Sequence, residues 1–271
     1  MKKSIIFALI LSIGLPVFFS SCKSEFEKVR ASGDSELLYK KAYEYYDAGD
    51  YLKAQTIFEL LIGAYRGKKE LEDIYYKYAD TYYQLERYIL SAYYFESFTS
   101  TFPTSAKRED ADFMVAYSNY QMAPSYRLDQ TFAQKAIDEF QSFVNTYPES
   151  ERVAEANTLI DRMRLIMEKK AFETAELYYD LKQYQAALVS YETVLAEFPE
   201  TTNAELVRYK SVKAAYEMAA NSVYAKREKR YKDARKAAQE FLDKYGESDY
   251  AKEVQTLYAD TQDKLKDFKN G

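Results

Sequence analysis

One segment of the chain recurs with a fixed internal distance, and that distance restricts the architectures open to it. From Phe172 to Glu200 the sequence reads FETAELYYDLKQYQAALVSYETVLAEFPE, with small residues Ala175 and Ala187 twelve positions apart. Small side chains there let two helices cross closely, and the rings of Tyr178, Tyr184 and Tyr191 fill the space around the crossing. Pro199, which has no N–H to give, ends the unit. The same twelve positions separate Ala42 (with Tyr45) from Ala54 and Phe58, and Ala79 (with Tyr82) from Ser91, Phe95 and Pro103. Another copy pairs Ala116 with Ala136, Phe140, Phe143 and Pro148 at a spacing of twenty, so about eight residues around Ala123–Arg127 are inserted in its turn. A fifth copy is more divergent: Ala214, Ala215 and Tyr216, then Ala234, Phe241 and Tyr245. Four units close alike, with FPTS at Phe102, YPES at Tyr147, FPET at Phe198 and YGES at Tyr245. Each is an aromatic, a breaker and then a hydroxyl able to bond the first amides of the next helix.

A helix pair of this length cannot bury its apolar face alone, but stacked copies can. The spacing of the small and aromatic residues and the closing proline resemble tetratricopeptide repeats. The expected fold is therefore all-α, a right-handed α-solenoid of about five tetratricopeptide-like helix pairs plus a C-terminal capping helix over 249–268. Only 7 Gly and 5 Pro occur in 271 residues, and no alternating Val/Ile runs are present, as an all-helical chain requires. Pairs are expected over 36–66, turning at Ala48–Asp50, over 71–103, turning near Leu85–Arg87, and over 109–148. One helix of about 30 residues should follow from Ser150 to near Leu181, because that stretch holds no Gly or Pro. The last pair starts at Ala204 and is expected to turn through a basic connection, Lys226-Arg227-Glu228-Lys229-Arg230.

The start of the chain reads differently. Lys2 and Lys3 precede an apolar run from Ile5 to Phe19, then Ser20, Ser21 and Cys22, the pattern of a secretory signal. FSSC resembles a bacterial lipobox, which implies that Cys22 is acylated and becomes the first mature residue. The domain reading is then a lipoprotein signal peptide over 1–21, a polar lipidated tether over 22–35, N-terminal repeats over 36–148, and a long connecting helix with C-terminal repeats over 149–271.

Composition removes most catalytic chemistry. The chain has no histidine and a single cysteine, so zinc sites and histidine-assisted nucleophiles lack their usual residues. No Gly-rich phosphate loop is present. No enzyme activity, metal or cofactor is expected, and a net charge of −5 does not suit nucleic acid. That charge is uneven: residues 22–202 carry 21 basic and 31 acidic side chains, residues 203–271 carry 15 and 12. The two parts should prefer different partners.

Tyrosine, at 29 residues, stands above this background. Beside the structural positions, the first helix of each pair presents a stripe at i, i+4, i+7: Tyr39, Tyr43, Tyr46; Tyr76, Asp80, Tyr83; Phe113, Tyr117, Tyr120; and Phe172, Glu176, Tyr179. First helices line the concave side of tetratricopeptide arrays, so the first three sets are candidates for a peptide-binding groove. Rings that are apolar on their faces and polar at the tip suit a half-wet channel. Packing against neighbouring helices is the competing reading for each ring. The cluster Lys226, Arg227, Lys229, Arg230 is a candidate electrostatic docking surface, with a solvated turn as its alternative.

Signal and lipobox, five repeats, the inserted third turn, the long helix and AELYYDLKQYQAALVSYETVLAEFPET together are similar to the BamD family, lipoproteins of the outer-membrane β-barrel assembly machinery. The resemblance spans the whole mature chain. It implies a scaffold lipid-anchored in the bacterial outer membrane and facing the periplasm. It also implies binding to the periplasmic domains of BamA through the C-terminal half and to unfolded β-barrel proteins through the N-terminal repeats. Other readings are a different periplasmic tetratricopeptide lipoprotein coordinating envelope assembly or division, and a carbohydrate-binding lipoprotein, against which the absence of Trp counts.

Overall fold

Short polar side chains start the first helices. The Asp34 carboxylate accepts from the amides of Glu36 and Leu37, and Asp50 accepts from that of Lys53, each satisfying donors that have no partner inside the helix. The structure is a computed structural model and describes residues 24–268, so Cys22 and the segment read as a signal peptide lie outside the described residues. Those residues form twelve helices and no strand. No helix among them is long and apolar enough to cross a membrane.

Two compact units divide the chain after Arg87. The first holds α1 (Glu25–Arg30), α2 (Ser35–Asp47), α3 (Tyr51–Ala64) and α4 (Leu71–Gln84). The second holds α5 (Tyr88–Thr101), α6 (Arg108–Gln121), α7 (Thr131–Thr146), α8 (Val153–Asp180), α9 (Tyr184–Glu197), α10 (Ala204–Ala220), α11 (Tyr224–Tyr245) and α12 (Ala251–Asp267). Within each unit consecutive helices pack on one another in a solenoid-like arrangement. The expected long helix is α8, at 28 residues.

The small residues sit where helices cross. Ala42, Ala54, Ala79, Ala116, Ala136, Ala175 and Ala187 are all fully buried. In the second unit Phe113, Phe140 and Phe143 meet Leu159, Ile160 and Met163 of α8, and Tyr191, Val194 and Phe198 close over Ala175 and Val207. Truncating a ring such as Phe140 to Ala would cost about 3–5 kcal/mol by leaving a void.

Turns repeat as faithfully as cores. Asp50, Arg87 and Gln183 each return an amide to a carbonyl five residues back, at 2.8, 2.8 and 2.9 Å, and the residue before each has a positive φ: Gly49 (77°), Glu86 (57°) and Lys182 (59°). This is the Schellman closure, and only the first copy uses the residue that adopts it without strain.

Two expectations are corrected. The stretch 22–35, read as a polar tether, contains α1, which lies on α2 through buried Val29, an edge contact of Phe26 with Tyr45 at 5.9 Å, and a Glu25–Lys41 ion pair at 3.2 Å. Phe26 and Val29 are three apart, so even six residues present one apolar face. The run Lys226–Arg230 is not a connection either. It forms the first two turns of α11, and the break is Asn221-Ser222-Val223, because the basic residues are good helix formers and offer no breaker.

Candidate functional site: the tyrosine faces of the repeat helices

Rings spaced i, i+4, i+7 stand on one face of each first helix, and the structure shows what their tips reach. In the first unit Tyr43 donates its hydroxyl proton to Asp73 and Tyr46 donates to Asp80, both from α2 to α4. Asp80 is buried and accepts again from Gln84 Nε2 at 3.3 Å. Burial first, and the neighbouring carboxylate second, push both phenols far above their ordinary range, so they stay protonated donors. Tyr39 packs in tilted contact 4.7 Å from Tyr43 and 5.6 Å from Tyr65, and Lys77 lies 4.0 Å over the Tyr46 ring. Tyr76 and Tyr83 are half-buried on α4.

In the second unit the third stripe divides. Phe113 is 2% exposed and touches Phe140 and Phe143, so it belongs to the core and not to a groove; its position faces α7 and offers no polar tip to hold toward water. Tyr117 and Tyr120 remain half-buried, stacked at 5.6 Å, and the Tyr120 hydroxyl accepts from Arg162 of α8 at 2.8 Å. Farther on, Glu176 accepts from Tyr191 and, at 2.5 Å, from Lys210, while Tyr209 donates to Glu253 at 2.6 Å and Tyr216 to Asp260 at 2.5 Å.

Apart from Tyr191 of α9, which bonds within its own pair, the pattern is a set of cross-links: a hydroxyl or cation on one first helix bonded to a partner on a neighbouring first helix. The spacing placed Asp80 in the candidate groove, and Asp73 lies two turns before it on the same helix. They are the acceptors of the stripe's own hydroxyls. A second cross-link was also missed. Ser150, Thr201 and Ser248, in the closing motifs, each donate at 2.5 Å to a glutamate of an earlier helix, Glu109, Glu168 and Glu205, while accepting from the amide two residues on at 3.0–3.1 Å. The motif showed the hydroxyl. Its carboxylate lies 33–43 residues earlier, so no local pattern marks it.

The basic cluster separates into two pairs. Arg227 Nε donates to the Ser222 carbonyl at 2.8 Å and Arg230 donates to the Ser222 hydroxyl, so these two hold the turn before α11. Lys226 and Lys229 are exposed, with no side-chain partner among the described residues. They border a cleft of about 470 Å³ walled by Leu188, Val189 and Met218.

Compared with known families, residues 31–207 match the YfiO family, described as an outer membrane lipoprotein. No curated protein matches the chain. Among solved structures, that of the yeast histone chaperone Hif1, described as a scaffold protein recruiting protein complexes to core histones, is 14% identical over 72% of this chain and 94% of its own, with a TM-score of 0.29. A superposition that loose bears on neither fold nor function.

Proposed function

This chain belongs to the YfiO family of outer membrane lipoproteins, and on that premise we propose that it is a non-enzymatic scaffold of outer-membrane β-barrel assembly, anchored through Cys22 and facing the periplasm. In this reading its C-terminal repeats bind the periplasmic domains of BamA, with Lys226 and Lys229 as the free charges of that contact. The repeats before residue 148 bind unfolded barrel proteins. The observation that carries the client-binding part is the half-buried rings of each unit taken by itself: Tyr39, Tyr43 and Tyr46 on α2 with Tyr76 and Tyr83 on α4 in the first, and Tyr117 with Tyr120 on α6 in the second.

Barrel strands alternate apolar and polar residues and carry aromatic girdles, so an unfolded client offers rings at intervals. Because the Tyr43, Tyr46 and Tyr120 hydroxyls are engaged within the fold, ring faces and edges supply the affinity there, at about 0.5–1.5 kcal/mol for each aromatic pair. Several such contacts give micromolar, releasable binding. The test uses a labelled C-terminal peptide of a barrel protein. Tyr39→Ala should weaken it by about tenfold, while Tyr43→Phe, which keeps the ring and removes only the hydroxyl, should leave affinity within about twofold and lower the melting temperature. Loss of stability in both variants with no loss of peptide affinity would return these rings to a purely structural role.

A further inference from the structure

The inserted turn between α6 and α7 is the one departure from the repeat that the proposed function leaves unused. Residues 122–130 do not dangle. Buried Gln130 donates through Nε2 to the carbonyls of Ser125 and Leu128 at 2.9 and 3.0 Å, Lys170 Nζ of α8 reaches the Leu128 carbonyl at 2.7 Å, and Lys169 lies 4.5 Å over the Tyr126 ring. The insertion is thereby fastened to the middle of α8, where its last residues form the end wall of a cleft of about 530 Å³.

The cleft exists because α8 serves two partners. Its first half packs under α7 through Ala156, Leu159, Ile160 and Met163, and its second half under α9 through Ala175. Between the two, half-buried Met167 and Ala171, packed against the α9 core, line the cleft together with the edge of buried Phe198 from the end of α9. Beyond Met167 the same lining continues into a hollow of about 380 Å³ that includes Ile137.

The rim has a definite polarity. Thr174 and Thr193 give their hydroxyl protons to the carbonyls of Lys170 and Val189 at 2.8 and 3.0 Å, and Gln134 gives its amide to Asp138 at 2.8 Å. The two threonines are left with oxygen lone pairs only, so they accept and do not donate, and Gln134 keeps its carbonyl oxygen as an acceptor beside one remaining N–H. Glu197 on the same rim is exposed and has no ion pair or hydrogen bond among the described residues. It is also the last residue of α9, where the helix's own unbonded carbonyls add negative potential. Lys170, bonded to the Leu128 carbonyl, is balanced in charge by Asp129 of the same lining, and Arg164 pairs with Glu200 at 2.5 Å, so Glu197 is the unbalanced charge at the rim.

We propose that this cleft is a second docking site, and that its occupant is a segment of a partner protein that sets a lysine or arginine beside an apolar side chain. The cation meets Glu197 and the acceptor oxygens of the rim, and the apolar side chain covers Met167, Ala171 and Phe198. An acidic segment would set its charge against Glu197. The site shares no residue with the tyrosine faces, so it stands or falls independently of client binding there.

The probe is a short peptide of alternating leucine and lysine, titrated into the detergent-solubilised full chain with methyl-labelled methionine, alongside leucine–glutamate and serine–lysine peptides. The leucine–lysine peptide should shift the Met167 methyl signal and leave Met218, beside the other cleft, in place. Glu197→Lys, at an exposed position, should weaken it by about tenfold with an unchanged circular dichroism spectrum, and Glu197→Gln by less. Tyr39→Ala should leave it unaltered. Equal binding of the leucine–glutamate peptide, an unmoved Met167 signal, or affinity indifferent to Glu197→Lys would each overturn the assignment.

Discussion

Tyr209 shows at the level of single residues how the helices of this chain are tied together. Its hydroxyl donates to Glu253 of α12, and Lys213 reaches both that carboxylate, at 3.0 Å, and the Tyr209 oxygen, at 3.2 Å. The hydrogen bond from Tyr209 first, and that from Lys213 second, hold the Glu253 carboxyl below its usual range. A group whose folded-state pKa is depressed adds stability that is full above its unfolded value, here 4.5, and is lost as pH falls through the lower folded value. Denaturant midpoints should therefore be flat from neutral pH to about 5 and fall below about 4.5 as Glu253 takes up its proton. Tyr209→Phe should lower the midpoint at neutral pH and flatten its acid slope, whereas Lys213→Met, which removes the second-ranked bond, should flatten it less. An acid slope identical in wild type and Tyr209→Phe would show that other carboxylates set it. In the first unit Tyr43 and Tyr46 repeat the arrangement with more buried partners, so there the loss of one hydroxyl takes a bond from a carboxylate shielded from water.

At the level of elements, the three Schellman turns differ in one residue, and that difference has a measurable consequence. Glu86 and Lys182 hold φ values of 57° and 59° that glycine holds at position 49, and an L-residue in that region is strained by about 1 kcal/mol. Glu86→Gly and Lys182→Gly should each raise stability by up to about 1 kcal/mol, since the relief of strain exceeds the added flexibility of the unfolded chain. Gly49→Ala should lower it by a similar amount; a methyl there meets no atom within 4 Å, so the whole effect is conformational. A thermal melt of the three variants decides this, and stabilisation by Gly49→Ala would contradict it. Helix boundaries of this kind were legible beforehand because they rest on local chemistry: Ala48-Gly49-Asp50 announces a turn, and the proline endings announce stops. The break before α11 was misplaced for the complementary reason. Asn221-Ser222-Val223 contains no Gly or Pro, and it stays a turn because Arg227 and Arg230 reach back to Ser222 from inside the helix. Likewise the phase of each tyrosine stripe could be read from spacing. That Phe113 turns into the core, and that Asp73 and Asp80 take up the hydroxyls, depends on partners about 30 residues away that no local period records.

At the level of the whole chain, charge and the proposed anchor at Cys22 set what the repeats can meet. Cys22 carries the only thiol, and acyl chains add about 0.8 kcal/mol for each buried CH₂, so Cys22→Ala should move the protein from the membrane to the soluble fraction or leave it unprocessed. Membrane retention at normal mature size would remove the lipobox reading. The basic excess of residues 203–271 is concentrated at the start of α11, a helix with no acidic residue in its first turn, where cations oppose the helix dipole. Arg227 and Arg230 are accounted for by Ser222, which is buried; Lys226 and Lys229 have no side-chain partner among the described residues. Two double variants separate these roles. Lys226→Glu with Lys229→Glu leaves the turn intact and should weaken binding to the BamA periplasmic domains by about tenfold at low salt. That difference should shrink toward 1 M salt, where the screening length falls to about 3 Å. Arg227→Ala with Arg230→Ala frees a buried hydroxyl and a carbonyl, so it should lower the melting temperature first and affinity only in proportion to the unfolded fraction. If both pairs lost stability equally, or if charge reversal at Lys226 and Lys229 left affinity unchanged at low salt, the cluster would be a solvated helix start and the partner contact would have to lie elsewhere on the C-terminal repeats.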